Sequence, residues 1–120
     1  NNLGGASDGA GGITRFTNSS IANRNTLPPT SQFTNHPGTT QFATGGTTEF
    51  RDAASAGSAR FDNLPGVVSI YSGTTRFFDS ATAATGQFYN HPGHPLIPAI
   101  VEFNGNSTGG NGTFVNLQEC

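Results

Sequence analysis

The chain has no methionine, no tryptophan and no lysine, and its one cysteine is Cys120. A lone cysteine builds no internal disulfide framework. It leaves Cys120 to pair between chains, to be modified, or to mark the cut end of a longer chain. The missing first methionine likewise reads as processing or as a fragment. Without lysine, the five cations are all arginine, and the formal net charge is −2. That balance offers no basic patch to neutralise phosphates, so nucleic acid is not an expected partner. Long apolar runs are lacking too. Nothing approaches the roughly 20 residues of a membrane helix, no secretory leader is visible, and membrane insertion is not expected. Only 32% of the residues are hydrophobic, a level that in an aperiodic chain points to disorder.

What is present argues the other way. Thr47 to Gly73 reads TTEFRDAASAGSARFDNLPGVVSIYSG, and Thr74 to Ile100 reads TTRFFDSATAATGQFYNHPGHPLIPAI. Both run through a threonine pair, Phe, Asp, a stretch of small residues, a second Phe, Asn, Pro-Gly and an apolar run. A partial copy starts at Val101 and an earlier one at Ile13. Phe50, Phe77 and Phe103 are 27 and 26 residues apart, and Phe61, Phe88 and Phe114 keep the same rhythm. The first unit, with Phe16 and Phe33, is longer by an insert placed at residues 24–29, RNTLPP. Repeats of this length mean a solenoid or an array.

No stretch has helical periodicity with caps, and glycine and β-branched residues are too frequent for a helix to compete. Each unit offers three short strands. The first carries Thr-x-Phe, and the second carries the other Phe. The third is the run after Pro-Gly: Thr40-Gln41-Phe42, Val67–Ile70, then Leu96-Ile97 with Ala99-Ile100. Pro37-Gly38, Pro65-Gly66 and Pro92-Gly93 are strong turn signals. The pattern predicts an all-β parallel β-helix (β-solenoid), with three short strands per coil of about 27 residues and about four coils. Residues 1–12, NNLGGASDGAGG, read as a Gly-rich flexible arm, and residues 13–120 as the solenoid domain.

Equivalent residues of successive coils should then stack one strand spacing apart, about 4.8 Å. Phe16, Phe50, Phe77 and Phe103 form one expected aromatic ladder, and Phe33, Phe61, Phe88 and Phe114 another. Asn35, Asn63, Asn90 and Asn116 form an amide ladder, able to hydrogen-bond along the axis. Ser20, Ala54, Ala81 and Ser107 keep a corner small. Arg15, Glu49, Arg76 and Glu102 alternate in sign at one position, which attracts between neighbouring strands and sets register. His36, Leu64, His91 and Leu117 alternate at another.

The ends carry the functional expectation. A solenoid exposes unpaired strand edges at its terminal coils, and natural ones are usually capped. No cap is evident here. The arm could supply the strand that the last coil lacks, and Glu102 would meet Arg15 of the next chain. Head-to-tail stacking that does not close makes a filament. The expectation is therefore a structural subunit of an extracellular filament, with the chain itself as partner.

Other chemistry is weakly supported. Asp52 and Asp79 share a ladder position and could act as the acid/base pair of a polysaccharide-active enzyme or bind a cation, but Asp at such a corner more simply bonds backbone N–H groups. His36 and His91 are two coils apart, too far for one metal, and His94 could only form a weak site with His91. No nucleotide loop or catalytic triad is found. No cofactor, metal site or enzymatic activity is expected. Thr39-Thr40, Thr47-Thr48 and Thr74-Thr75 put threonines near strands and raise ice binding, which wants regular outward threonines on one strand of every coil, but the charged ladder of Arg15, Glu49, Arg76 and Glu102 interrupts such an array.

The pattern Thr-Thr-x-Phe-x-Asp, small residues, Phe-x-Asn, seen in Thr47 to Asn63 and Thr74 to Asn90, resembles repeats of secreted bacterial β-helical surface proteins of autotransporter or adhesin type. The resemblance covers Ile13 to about Leu117. It implies an extracellular or cell-surface location, attachment to a cell surface or matrix, and no catalytic constellation in the repeats. It also implies the main alternative, a segment of a larger β-helical passenger. The short length, the Pro-Gly corners and the insert depart from that pattern.

Overall fold

The computed structural model describes residues 1–7, 9–24, 31–66, 71–93 and 98–117. Strands come in pairs, one pair per coil: β1 (Ile13–Phe16) with β2 (Gln32–Asn35), β3 (Thr47–Phe50) with β4 (Arg60–Asn63), β5 (Thr74–Phe77) with β6 (Gln87–Asn90), and β7 (Ile100–Phe103) with β8 (Thr113–Asn116). The odd-numbered strands form one parallel sheet in the order β1-β3-β5-β7, and the even-numbered strands another in the order β2-β4-β6-β8. The chain is a parallel β-solenoid of about four coils.

Register follows the repeat. Phe16, Phe50, Phe77 and Phe103 are partners in the first sheet. Phe33, Phe61, Phe88 and Phe114 are partners in the second. A one-residue slip would turn every Phe outward and every charged neighbour inward, so burial enforces this register.

A third parallel ladder, one residue wide, passes through Ile21, Ser55, Thr82 and Thr108. It lies between the two strands of each coil, not in the run after Pro-Gly. In that run, Val67–Ile70 and Leu96-Ile97 fall outside the described residues, Ile100 opens β7, and Thr40-Gln41-Phe42 forms a turn. Ala43 N–H closes the turn on the Thr40 carbonyl, and Phe42 stays 57% exposed. Two rings already fill the cross-section of each coil, so a third has no interior place. Of the RNTLPP insert only Arg24 is described.

The corner after each Phe of the first sheet needs a left-handed residue. Asn18, Asp52, Asp79 and Gly105 occupy it with φ of 56°, 58°, 55° and 65°. These are the residue types that tolerate αL best. Small residues follow, and Ala54, Ala56, Ala59, Ala81 and Ala83 are buried against the rings.

The core is aromatic in two directions. Along the axis, rings stack nearly parallel at 4.9, 4.8 and 4.9 Å from Phe16 to Phe103. From Phe33 to Phe114 the spacings are 5.1, 4.8 and 5.0 Å. Within each coil the two rings meet edge to face, for example Phe50 and Phe61 at 5.6 Å. Each pair of this kind adds about 0.5–1.5 kcal/mol beyond area burial. Phe50, Phe61, Phe77 and Phe88 are fully buried, whereas Phe103 and Phe114 at one end are 40% and 43% exposed. Phe61→Ala is therefore expected to cost about 3–5 kcal/mol and Phe114→Ala about 1 kcal/mol, read as the shift in denaturant midpoint. Equal losses at the two positions would mean that the stack does not carry the stability.

Candidate functional site

Beside the aromatic core runs a buried polar spine. Asn2 Nδ2–H donates to Asn35 Oδ1 at 2.8 Å, Asn35 to Asn63 at 2.8 Å, Asn63 to Asn90 at 3.0 Å and Asn90 to Asn116 at 2.9 Å. The second residue of each odd-numbered strand faces this spine. The hydroxyls of Thr14, Thr48 and Thr75 donate to Oδ1 of Asn2, Asn35 and Asn63 at 2.7, 2.9 and 2.9 Å. Val101 holds the fourth place, so the hydroxyl row stops at the last coil. The threonine row has a signal in the sequence, Thr two residues before Phe in three units. Its partnership with asparagine does not, because it joins residues from two different sheets. Thr48 and Thr75 are fully buried, so one threonine of each of those pairs serves the interior and not a surface array.

Asn2 extends the amide ladder beyond the repeat that begins at Ile13. Residues 1–12, apart from Asp8, which is not described, lie against the first coil. Gly5 N–H donates to Thr44 O, Thr39 N–H to Gly5 O, Thr44 N–H to Gly9 O, and Thr47 N–H to Gly12 O. The glycines allow this close layering. A Cβ on Gly4 would sit 1.6 Å from the Pro37 carbonyl oxygen. Composition alone reads the segment as flexible; close packing is a second use of the same residue.

The charge ladder stands in register on the outer face of the first sheet: Arg15 opposite Glu49, Glu49 opposite Arg76, Arg76 opposite Glu102. It pairs in two groups. Glu49 accepts from Arg15 at 2.7 Å and from Arg51 at 3.2 Å. Arg76 Nε lies 2.9 Å from Glu102, an ion pair by distance but not a directed hydrogen bond. Burial pushes the Glu49 carboxyl up, but hydrogen bonds from Arg15 and Arg51 outweigh it and hold the group below its usual range. A groove of about 440 Å³ follows this face, with Glu49, Arg76 and Tyr71 in its lining.

Asp52 and Asp79 sit at the αL corner. Asp52 Oδ2 accepts from Asn18 N–H at 2.9 Å, and Asp79 Oδ2 from Asp52 N–H at 3.1 Å. Each carboxylate thus caps the backbone of the preceding coil. Ser20, Ala54, Ala81 and Ser107 follow this corner, and the alanines are fully buried. Cys120 and His94 lie outside the described residues, and among those residues no cluster of three or more His, Cys, Asp or Glu could hold a metal ion.

A network on the outer face of the second sheet has no counterpart in the repeat. Asp62 accepts two hydrogen bonds from Arg60, both at 2.8 Å, and one from Gln32 at 2.9 Å. His91 Nε2 lies 2.8 Å from its other side, and the Arg60 guanidinium stacks over Tyr89 at 4.3 Å. Opposite charges two apart on one strand share a face, which was the available signal. His36 is partly buried, at the equivalent corner of an earlier coil.

The comparisons with known proteins name no relative. A scan against protein-family models finds no match, and searches of curated proteins and of solved structures find none either. The functional reading therefore rests on geometry, above all on the two ends of the solenoid. At one end β7 and β8 present Phe103, Phe114 and Asn116; at the other β1 and β2 present Phe16 and Phe33.

Burial pushes the Asp62 carboxyl up, but hydrogen bonds from Arg60, His91 and Gln32 bring it down from 3.8 to about 2. A depressed carboxylate stabilises the fold above its unfolded pKa and loses that contribution as pH falls through the folded value. Between pH 4 and pH 2 the protein should lose up to about 2 kcal/mol from this group. Asp62→Asn should be less stable at pH 7 and flatter across that window. Thermal unfolding of both proteins from pH 7 to pH 2 tests this, and parallel curves would remove Asp62 as the source.

Proposed function

We propose that the chain is a structural subunit of an extracellular filament, assembling head to tail by stacking coil on coil. One observation carries this reading. The end coils hold the same ladder Phe and Asn in the same register as the interior coils, yet the rings that are fully buried inside are about two-fifths exposed at the β7–β8 end, Phe103 at 40% and Phe114 at 43%. A further coil covers such a face. In a stack, β1 of the next copy lies on β7, with Ile13 over Ile100, Arg15 over Glu102 and Phe16 over Phe103. β2 lies on β8, with Phe33 over Phe114 and Asn35 over Asn116. Arg15 and Glu102 already have partners within the chain, so their contact extends a network rather than filling vacancies. The N-terminal arm, whose Gly5, Gly9 and Gly12 hydrogen-bond to the first coil, then completes the last coil of the neighbour. The carboxylates Glu49, Asp52 and Asp62 are engaged by arginine or backbone, which favours a structural over a catalytic role.

The resemblance to autotransporter and adhesin repeats suggests the second reading, a segment of a longer passenger at the cell surface. There the same faces meet further coils of one chain. Electron microscopy of the purified protein with helical averaging separates the two. Filaments with an axial rise per subunit of four strand spacings, roughly 19 Å, are the expected outcome. Dispersed particles at every concentration would overturn the filament and leave the passenger.

A further inference from the structure

Asn2 is joined to the first coil as each ladder asparagine is joined to the coil after it. Its carbonyl accepts from His36 N–H at 2.9 Å; the carbonyls of Asn35, Asn63 and Asn90 accept from Leu64, His91 and Leu117 at 2.9, 3.0 and 2.9 Å. Its Nδ2 donates to the Thr47 carbonyl at 3.1 Å, as that of Asn63 does to the Ile100 carbonyl at 3.2 Å. Thr47 and Ile100 are the same position of the repeat. A Cβ on Gly46 would meet the Asn2 carbonyl at 2.0 Å, and one on Gly73 the Asn35 carbonyl at 1.9 Å. Asn2 thus reproduces a ladder residue in backbone, side chain and close packing, and it is only 7% exposed.

It reproduces that residue alone. Asn2 pairs with Asn35 as an isolated bridge, while each pair within the second sheet spans four residues. In the head-to-tail register described above, the place held by Asn2 is the place of Asn116 from the preceding copy. Both cannot occupy it.

The amides also have a direction. A backbone carbonyl can only accept, so the contacts with Thr47 O and Ile100 O fix Nδ2 of Asn2 and Asn63 as donors. Every ladder amide then donates toward the β8 end. Asn116 is exposed there, and its Nδ2 donates to no described residue. The opposite end offers acceptors, Asn35 Oδ1 and the Thr34 carbonyl, now taken by Asn2.

We infer that the socket formed by two acceptors, Asn35 Oδ1 and Thr34 C=O, and one donor, His36 N–H, is a binding site for the β8 strand of a second copy, and that Asn2 fills it within the chain as a displaceable plug. The inference rests on the stacking reading. Displacement exchanges a single bridge for a strand of four residues and adds the Phe33–Phe114 stack. It also makes the filament polar, because like ends would set donor against donor or acceptor against acceptor.

The test uses a fluorescent peptide with the sequence of residues 110–117, GNGTFVNL, and three proteins: the full chain, the chain lacking Asn1 and Asn2, and full-length Asn2→Ala. The peptide should bind the shortened chain about tenfold more tightly than the full chain, the effect of one hydrogen-bonded group. Asn2→Ala, which keeps the backbone contacts, should fall between them. The Asn116→Ala peptide should lose the preference, and filaments of the shortened chain should appear with a shorter lag. Filaments from all three proteins with equal peptide binding would overturn the socket and leave the stacking reading intact. Peptide discrimination without filaments would keep the socket and overturn the filament.

Discussion

Parallel strands in a sheet lie about 4.8 Å apart, and the rings of Phe50 and Phe77 stack at 4.8 Å. The agreement of these two spacings is the constraint on which the molecule depends. A backbone that repeats its hydrogen-bond ladder every coil brings identical rings to stacking distance without adjustment. Identical residues at identical positions then become an advantage, and a chain with few apolar residues can still form a dry interior. The edge-to-face contact within each coil locks the two stacks together, Phe77 against Phe88 at 5.7 Å being one instance. A cross-section with room for two rings also explains why Phe42 stays outside and why its segment turns instead of forming a strand.

The same repetition would be ruinous for buried polar groups unless they satisfied one another. Asparagine solves this because its amide carries both donor and acceptor, so a column of amides can pass one hydrogen bond to the next. The threonine hydroxyls supply a second donor to each inner acceptor. Buried networks of this kind are costly when incomplete and specific when complete. Here completeness needs every coil to be in register, which ties the polar spine to the aromatic stacks. Like charges stacked in the same way would repel, and the outer face avoids this by alternating Arg and Glu.

A structure built this way has no natural end. Each coil satisfies the coil before it and leaves the same demands to the coil after it, so a coil with none beyond it exposes rings, amides and a strand edge. An unpaired edge is a template for another chain. Asn2 meets that demand at one end with a single residue, and the glycines beside it let the backbone lie close. The other end keeps exposed Phe103, Phe114 and Asn116. The two ends therefore differ, one nearly closed and the other open.

Spacing within the chain by itself determined the solenoid, the two phenylalanine ladders, the asparagine ladder and the alternation of Arg15, Glu49, Arg76 and Glu102, because a repeat places like with like whatever the detailed path. It did not pick out the one-residue ladder through Ile21, Ser55, Thr82 and Thr108, which has no hydrophobic period to betray it, and it expected a strand at Thr40–Phe42 where the chain turns. Only the tertiary structure decided what meets across the coil. The pairing of Thr48 with Asn35, and the convergence of Arg60, Gln32 and His91 on Asp62, join residues whose spacing carries no signal. The role of Asn2 belongs to the same class. A lone asparagine in a glycine-rich segment looks like linker until the fold sets it beneath Asn35, where the ladder's geometry gives it a partner.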